Sequence, residues 1–167
     1  MISGTSTPTG KFYGCCAVLS SHEDGPAWTE IYKYVRNLGF IPSSHMGDGA
    51  KAITLAGKET YGDVENCSRL MCYSHVHRNM TPQMKSVSTL DKGLADRIIS
   101  NIENLQWSVH NEDTFFHVWD LLKKKYENMY NSSIDVSIKK FLDYMDGIWI
   151  ESDEFRWFEG ANLVYQQ

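Results

Sequence analysis

Cysteine is scarce in this chain, with four thiols in 167 residues, at positions 15, 16, 67 and 72. Adjacent residues such as Cys15 and Cys16 point to opposite faces of a strand, and four cysteines in this length do not make a dense disulfide framework. The expected setting is reducing and intracellular. Long apolar runs are missing as well: nothing approaches the ~20 residues that span a bilayer. Met1 leads into Ile-Ser-Gly-Thr instead of a basic segment and a hydrophobic block. Membrane insertion and classical secretion are therefore not expected. Nor is there an excess of positive charge, since 16 Lys+Arg stand against 21 Asp+Glu, a formal charge of −5. This argues against coating nucleic acid by bulk charge and leaves room for a locally basic site. There is no internal repeat and no low-complexity tract. What the chain does have is core material, 42% apolar and 13% aromatic against 22% charged, in one domain's worth of length.

Acidity concentrates late: residues 1–100 carry ten basic and nine acidic side chains, residues 101–167 six and twelve. The early part alternates strand and helix signals. Ile2 to Thr5 is an extended segment, Thr7-Pro8-Thr9-Gly10 a turn cluster and Lys11 to Ser20 an apolar run, together a hairpin whose second strand is expected to be well buried. Asp24 is placed to cap a helix with Pro26 in its first turn. Trp28, Ile31, Tyr32, Val35 and Leu38 follow at helical spacing until Gly39. Ser43 to Gly47 reads as a short strand and Ala50 to Tyr61 as a helix with Ala52, Ile53, Leu55 and Ala56 for its buried side. Asn66 to Tyr73 reads as a further strand, breaking into Ser74-His75-Val76-His77-Arg78-Asn79. Such alternation with short connections predicts an α/β layer whose sheet is at least partly parallel.

From Ser88 the pattern turns helical. Leu90, Leu94, Ile98, Ile102 and Leu105 form one stripe. Phe115, Val118, Trp119, Leu122, Tyr126 and Met129 form a second after an Asn111 cap, and Ile134, Ile138, Phe141, Leu142 and Met145 a third after Ser133. These helices read as an insertion or subdomain packed on the sheet, with a loop near Ser108 to Glu112 and a polar join at Asn131-Ser132-Ser133.

Met46-Gly47-Asp48-Gly49 is the most informative local feature. A carboxylate at the carboxyl end of a strand, flanked by glycines, sits where open α/β sheets place ligands and suits a hard divalent cation. Asp between glycines is also an ordinary turn and helix cap, the commoner use of these residues. Cys72-Tyr73-Ser74-His75-Val76-His77 brings thiol and imidazole close, as zinc ligands are, although structural zinc takes four; Cys67, Cys72, His75 and His77 are the available set. A buried small Cys72 with His75 hydrogen-bonding a loop fits as well. No oxyanion-hole signature supports a Cys72 nucleophile. Arg69, His75, His77, Arg78, Lys85, Lys92 and Arg97 form the most basic window, able to hold a phosphate backbone or simply to be solvated. Lys123-Lys124-Lys125 complements a helix terminus. Trp28, Tyr32, Trp119 and Tyr126 read as core, and Trp157-Phe158-Glu159-Gly160 is an aromatic and acidic block late in the chain.

In order, several blocks resemble the transposase domain of Mutator-like elements. They are Ile2-Ser3-Gly4-Thr5 with Gly10-Lys11-Phe12, Leu19-Ser20-Ser21-His22-Glu23, Met46-Gly47-Asp48-Gly49-Ala50-Lys51-Ala52-Ile53, Met71-Cys72-Tyr73-Ser74-His75-Val76-His77-Arg78-Asn79, and Trp157-Phe158-Glu159-Gly160-Ala161. The resemblance spans nearly the whole chain. It implies an α/β, ribonuclease H-like fold in which two Asp and one Glu hold two magnesium ions for DNA strand cleavage and transfer. On it, Asp48 matches the second acid, so the balance shifts toward metal binding. Cys72, His75 and Arg78 match a motif with a structural or DNA-contact role, and the helices from Ser88 match an insertion before the final acid. The first Asp and the final Glu of that set find no match here, and Glu159 belongs to the aromatic block. The expectation is an incomplete ribonuclease H-like fold: a partial core at 1–87, a helical insertion at 88–150 and the start of the last core segment at 151–167. One acid of three cannot hold two magnesium ions in catalytic geometry, and loss of the first strand leaves a neighbour's backbone unpaired. The implied partner is transposon-end DNA, with a homo-oligomer compatible, no membrane, and a nuclear or other intracellular location. A domesticated DNA- or protein-binding module and a small zinc-stabilised domain are the competing expectations.

Overall fold

A computed structural model describes residues 2–6, 12–19, 21–22, 24–65, 67–127, 133–152 and 155–161, without the side chains of 2–6, 12, 15–16, 133, 135 and 159. The expected turn at 7–10, Met129, the residues before Ser133 and the thiols of Cys15 and Cys16 lie outside that description. The chain divides into two compact units, Met1–Arg69 and Leu70–Gln167.

In the first unit, β1 (Ile2–Ser6) pairs antiparallel with β2 (Phe12–Ala17), placing Ile2 opposite Ala17 and Ser6 opposite Phe12. The hairpin forms, and the residues of its second strand at 13, 14 and 17 are exposed instead of buried. Tyr13 is 48% exposed and Leu19 wholly so, because among the described residues the hairpin is a two-stranded sheet of its own. Helix α1 (Gly25–Asn37) starts as its sequence dictates. The Asp24 carboxylate accepts from the Ala27 amide at 3.1 Å, Pro26 occupies the first turn, and Gly39 at φ +87° takes the left-handed conformation that ends it. Trp28, Ile31 and Tyr32 are buried; Leu38, past the last turn, is exposed.

Helix α2 (Lys51–Tyr61) packs on α1 through Ile53, Ala56, Gly57, Thr60 and Tyr61. Leu55 faces water instead of the core. Two residues from Ile53 is 200° around the helix, so it cannot share that stripe. Tyr61 donates to the Tyr32 carbonyl at 3.2 Å and Arg36 grips Asp63 through both guanidinium ends at 2.7 and 2.8 Å. Strands β3 (Ser44–Gly47) and β4 (Ser68–Met71) pair in parallel across α2, a strand–helix–strand unit. The chain is thus mixed α/β, mostly helical, with two separate two-stranded sheets among the described residues in place of one continuous layer.

Helix begins earlier than Ser88. The second unit contains α3 (Tyr73–Gln83), α4 (Lys85–Leu90), α5 (Lys92–Ser108), α6 (Glu112–Glu127) and α7 (Ser133–Met145), then a five-residue π turn at Asp146–Ile150 and a 3₁₀ turn at Glu159–Ala161. Val76, Met80, Met84 and Val87 form a fully buried helical stripe through α3 and α4, and Pro82 lies just before the break between them. Asp91 splits what reads as a single helix, its carboxylate accepting from the Leu94 amide at 2.9 Å, and Leu90 is left exposed. Asn111 caps α6 through the Thr114 amide at 2.8 Å. The expected stripes converge: Leu94, Ile98, Ile102, Leu105, Phe115, Trp119, Tyr126, Ile138, Phe141, Leu142 and Met145 share one core with Val76, Met80 and Trp157. Phe158 stacks on Phe115 at 4.5 Å and Trp157 meets the same ring edge-on at 5.1 Å, each burial contributing about 2–3 kcal/mol. The late aromatic block is therefore core.

Candidate functional site

Asp48 follows β3 directly and is half-buried. Its Oδ1 accepts from the Ala50 amide at 3.0 Å. Ala50 has no side chain that can cap α2, so this bond turns the chain out of β3 and into the helix. Arg69, on β4, donates through Nη2 to the Asp48 carbonyl at 2.5 Å and through Nη1 to the Gly47 carbonyl at 3.4 Å. The turn use of the Asp-Gly motif is thus realised, and a guanidinium ties the ends of the parallel pair together. Arg69 leaves the basic window for this task, while Arg78, Lys85, Lys92 and Arg97 stand on exposed positions of α3, α4 and α5.

Among the described residues no three His, Cys, Asp or Glu side chains converge in a way that could hold a metal ion. A magnesium pair needs several converging oxygen ligands, which the described side chains around Asp48 do not supply. Cys67, Cys72, His75 and His77 do not gather either. Cys67 Sγ lies 3.8 Å from His45 Nδ1, Cys72 precedes α3 as a free, half-buried thiol, and His77 Nε2 is 3.4 Å from Glu103 Oε1. His75 and His77, two apart on a helix, point 200° away from each other. Lys123 pairs with Asp146, which also accepts from the Trp119 indole at 2.7 Å. Trp28, Tyr32, Trp119 and Tyr126 are all buried, as their spacing predicts.

One group escaped the sequence reading. His45 is on the inward side of β3, between outward Met46 and the buried faces of α1 and α2, with its ring 5.7 Å from that of Tyr32 and 5.9 Å from that of Tyr61. A Cβ on Gly57 would stand 2.2 Å from Nε2, so only glycine lets the ring lie against α2. Nε2 itself is buried and makes no hydrogen bond. Burial first, and the nearby Arg69 charge second, push its pKa down to about 4. Burial likewise pushes the Tyr32 phenol up to about 12. The only sequence signal was the period-2 alternation of Ser44-His45-Met46-Gly47. Among the described residues, no helix is long and apolar enough to cross a membrane. No protein-family model, curated protein or solved structure matches this chain.

Proposed function

We propose that this chain carries part of a Mutator-like DNA transposase domain, on an incomplete ribonuclease H-like scaffold, and does not cut DNA by itself. The observation that carries the reading is Asp48 at the carboxyl end of β3 in a parallel strand–helix–strand unit, inside the ordered blocks that resemble that family. Ligands of open α/β sheets gather at such strand ends. Inactivity follows from chemistry. Transfer by two metals needs several converging oxygens, and Asp48 stands without two further ligating side chains among the described residues, with one carboxylate oxygen engaged by the turn into α2. Incubation with terminal-repeat DNA and magnesium is expected to give no nicking or strand transfer, for the native chain and for Asp48→Ala alike. Robust cleavage that Asp48→Ala abolishes overturns the proposal.

A non-catalytic DNA-binding module on the same scaffold is the second reading, favoured by the exposure of Arg78, Lys85, Lys92 and Arg97. DNA affinity that falls with salt and with Arg78→Ala or Lys85→Ala, while ignoring magnesium and Asp48→Asn, selects it. A nuclear or other intracellular location accompanies either reading.

A further inference from the structure

An open cleft of about 420 Å³ lies in the second unit between α6, the π turn and the segment after it, lined by Phe116, Trp119, Asp120, Lys123, Asp146, Ile150, Glu151, Ser152 and Phe155. That volume falls in the range of small-molecule sites. Two independent features give the cleft a chemical preference. The first is charge. Among the described lining residues, Asp120, Asp146 and Glu151 stand with Lys123, which gives −3 + 1 = −2. Lys123 is held on Asp146, and that contact raises its pKa, which keeps the ammonium charged beside the carboxylate. Glu151 and Asp120, both exposed, supply the remaining negative charge, Asp120 also acting on Lys123. The second feature is aromatic. Phe116 and Phe155 stand 5.3 Å apart at 36° along one wall, and Trp119 adds a third ring to the lining. The Arg156 guanidinium, held by Glu112 at 2.9 Å, sits 5.2 Å from the centre of the Phe155 ring, so that ring already has one cation beside it.

The backbone explains why a cleft exists there. At the end of α7 the chain widens into a π turn, in which the Glu151 amide donates to the Asp146 carbonyl at 2.8 Å. The wider turn sends Trp149 and Ile150 into the core, where the Trp149 indole donates to the Tyr144 hydroxyl at 3.1 Å. It leaves Asp146 directed at Trp119 and Lys123. Single π turns of this kind occur frequently at functional sites.

We propose that this cleft binds an alkylated ammonium group, with Phe116 and Phe155 facing the cation and Asp120 and Glu151 supplying the opposing charge. Faces of aromatic rings attract quaternary ammonium, which is too weakly hydrated to remain in water once such a wall and net negative charge are offered. A carboxylate or phosphate would meet a charge of its own sign. The inference is independent of the transposase reading, since none of these residues belongs to the blocks that carry it.

Titration calorimetry and NMR with the full chain test it. The probes are choline, a short peptide bearing trimethyl-lysine, and the same peptide with the neutral carbon isostere of that side chain. The charged peptide is expected to bind about tenfold more tightly than its isostere. Choline binding at the same residues assigns the affinity to the head group alone, and binding of the peptide without choline assigns it to a modified side chain; both support the proposal. Phe116→Leu, which keeps an apolar side chain at an already exposed position, is expected to weaken the charged probe about fivefold and leave the isostere unchanged. Asp120→Asn with Glu151→Gln is expected to do the same. Equal affinity for peptide and isostere, indifference to Phe116→Leu in a variant with native circular dichroism, or no saturable binding of any probe at millimolar concentration overturns it.

Discussion

Acidification is expected to destabilise the first compact unit through one residue, His45. In the unfolded chain an imidazole takes its proton near the ordinary 6.5, whereas in the folded unit His45 does so at about 4, chiefly because burial disfavours the charged ring. The folded value lies below the unfolded one, so folding favours the neutral form. The resulting stability is fully present above pH 6.5 and is lost as pH falls from 6.5 toward 4. The gap of 6.5 − 4 = 2.5, at about 1.36 kcal/mol for each pH unit, sets a ceiling of about 3.4 kcal/mol. The ring is half-buried, and screening by the water that reaches it reduces this to about 1.7 kcal/mol, of which about 1 kcal/mol is gone by about pH 5. Urea denaturation at about pH 7.5 and pH 5 measures the loss, with His45→Phe as comparator, because phenylalanine keeps a ring between Tyr32 and Tyr61 and cannot titrate. The native chain is expected to lose about 1 kcal/mol more than the variant over that interval. NMR titration of the His45 ring checks the cause directly. Equal losses in the two proteins, or a ring that titrates near 6.5, would refute the reasoning.

Two further substitutions probe the second unit. A Cβ at Gly160 would stand 2.2 Å from His110 Cα and 2.3 Å from its carbonyl carbon, where the Gly160 amide donates to the Val109 carbonyl at 3.1 Å. Gly160→Ala must displace backbone and is expected to cost about 2–3 kcal/mol, read from the thermal midpoint; a cost within error of zero shows that the approach is looser than this. Asp146→Ala removes at once the acceptor of the Trp119 indole and the hydrogen-bonded partner of the half-buried Lys123 ammonium, and is expected to cost about 2 kcal/mol. Asp146→Asn retains the oxygen for Trp119 and is expected to cost less than half as much, so equal losses would place the stability in the charge alone.

Elements whose signals are local were legible in the residues. The Asp24 cap, Pro26 and Gly39 delimit α1, Asn111 starts α6, and the stripes at 94–105, 115–126 and 138–145 reach the core because helical period alone decides which face is apolar. Elements that depend on what packs from elsewhere were not. Val76, Met80, Met84 and Val87 also recur at spacings of four, four and three, but the His, Arg, Asn and Pro between them obscure that period, and the stripe is plain only with the core they share. The π turn has no period of its own to read in five residues. Tyr13 and Leu19 of the hairpin's apolar run are exposed because burial of a strand is set by the neighbours it finds, which hydropathy does not encode.

The same division runs through the candidate site. That Asp48 ends a strand was visible in Met46-Gly47-Asp48-Gly49; what its carboxylate does depends on which groups meet there, and those come from far along the chain. Arg69, twenty-one residues on, supplies a cation against the Asp48 carbonyl, and among the described residues no pair of further ligating side chains supplies oxygens for a metal. A turn needs one carboxylate oxygen and one amide two residues away, so it forms whatever surrounds it. A metal centre needs convergence of distant side chains, which is why the turn reading could be settled by one bond while catalysis must be decided by the cleavage assay.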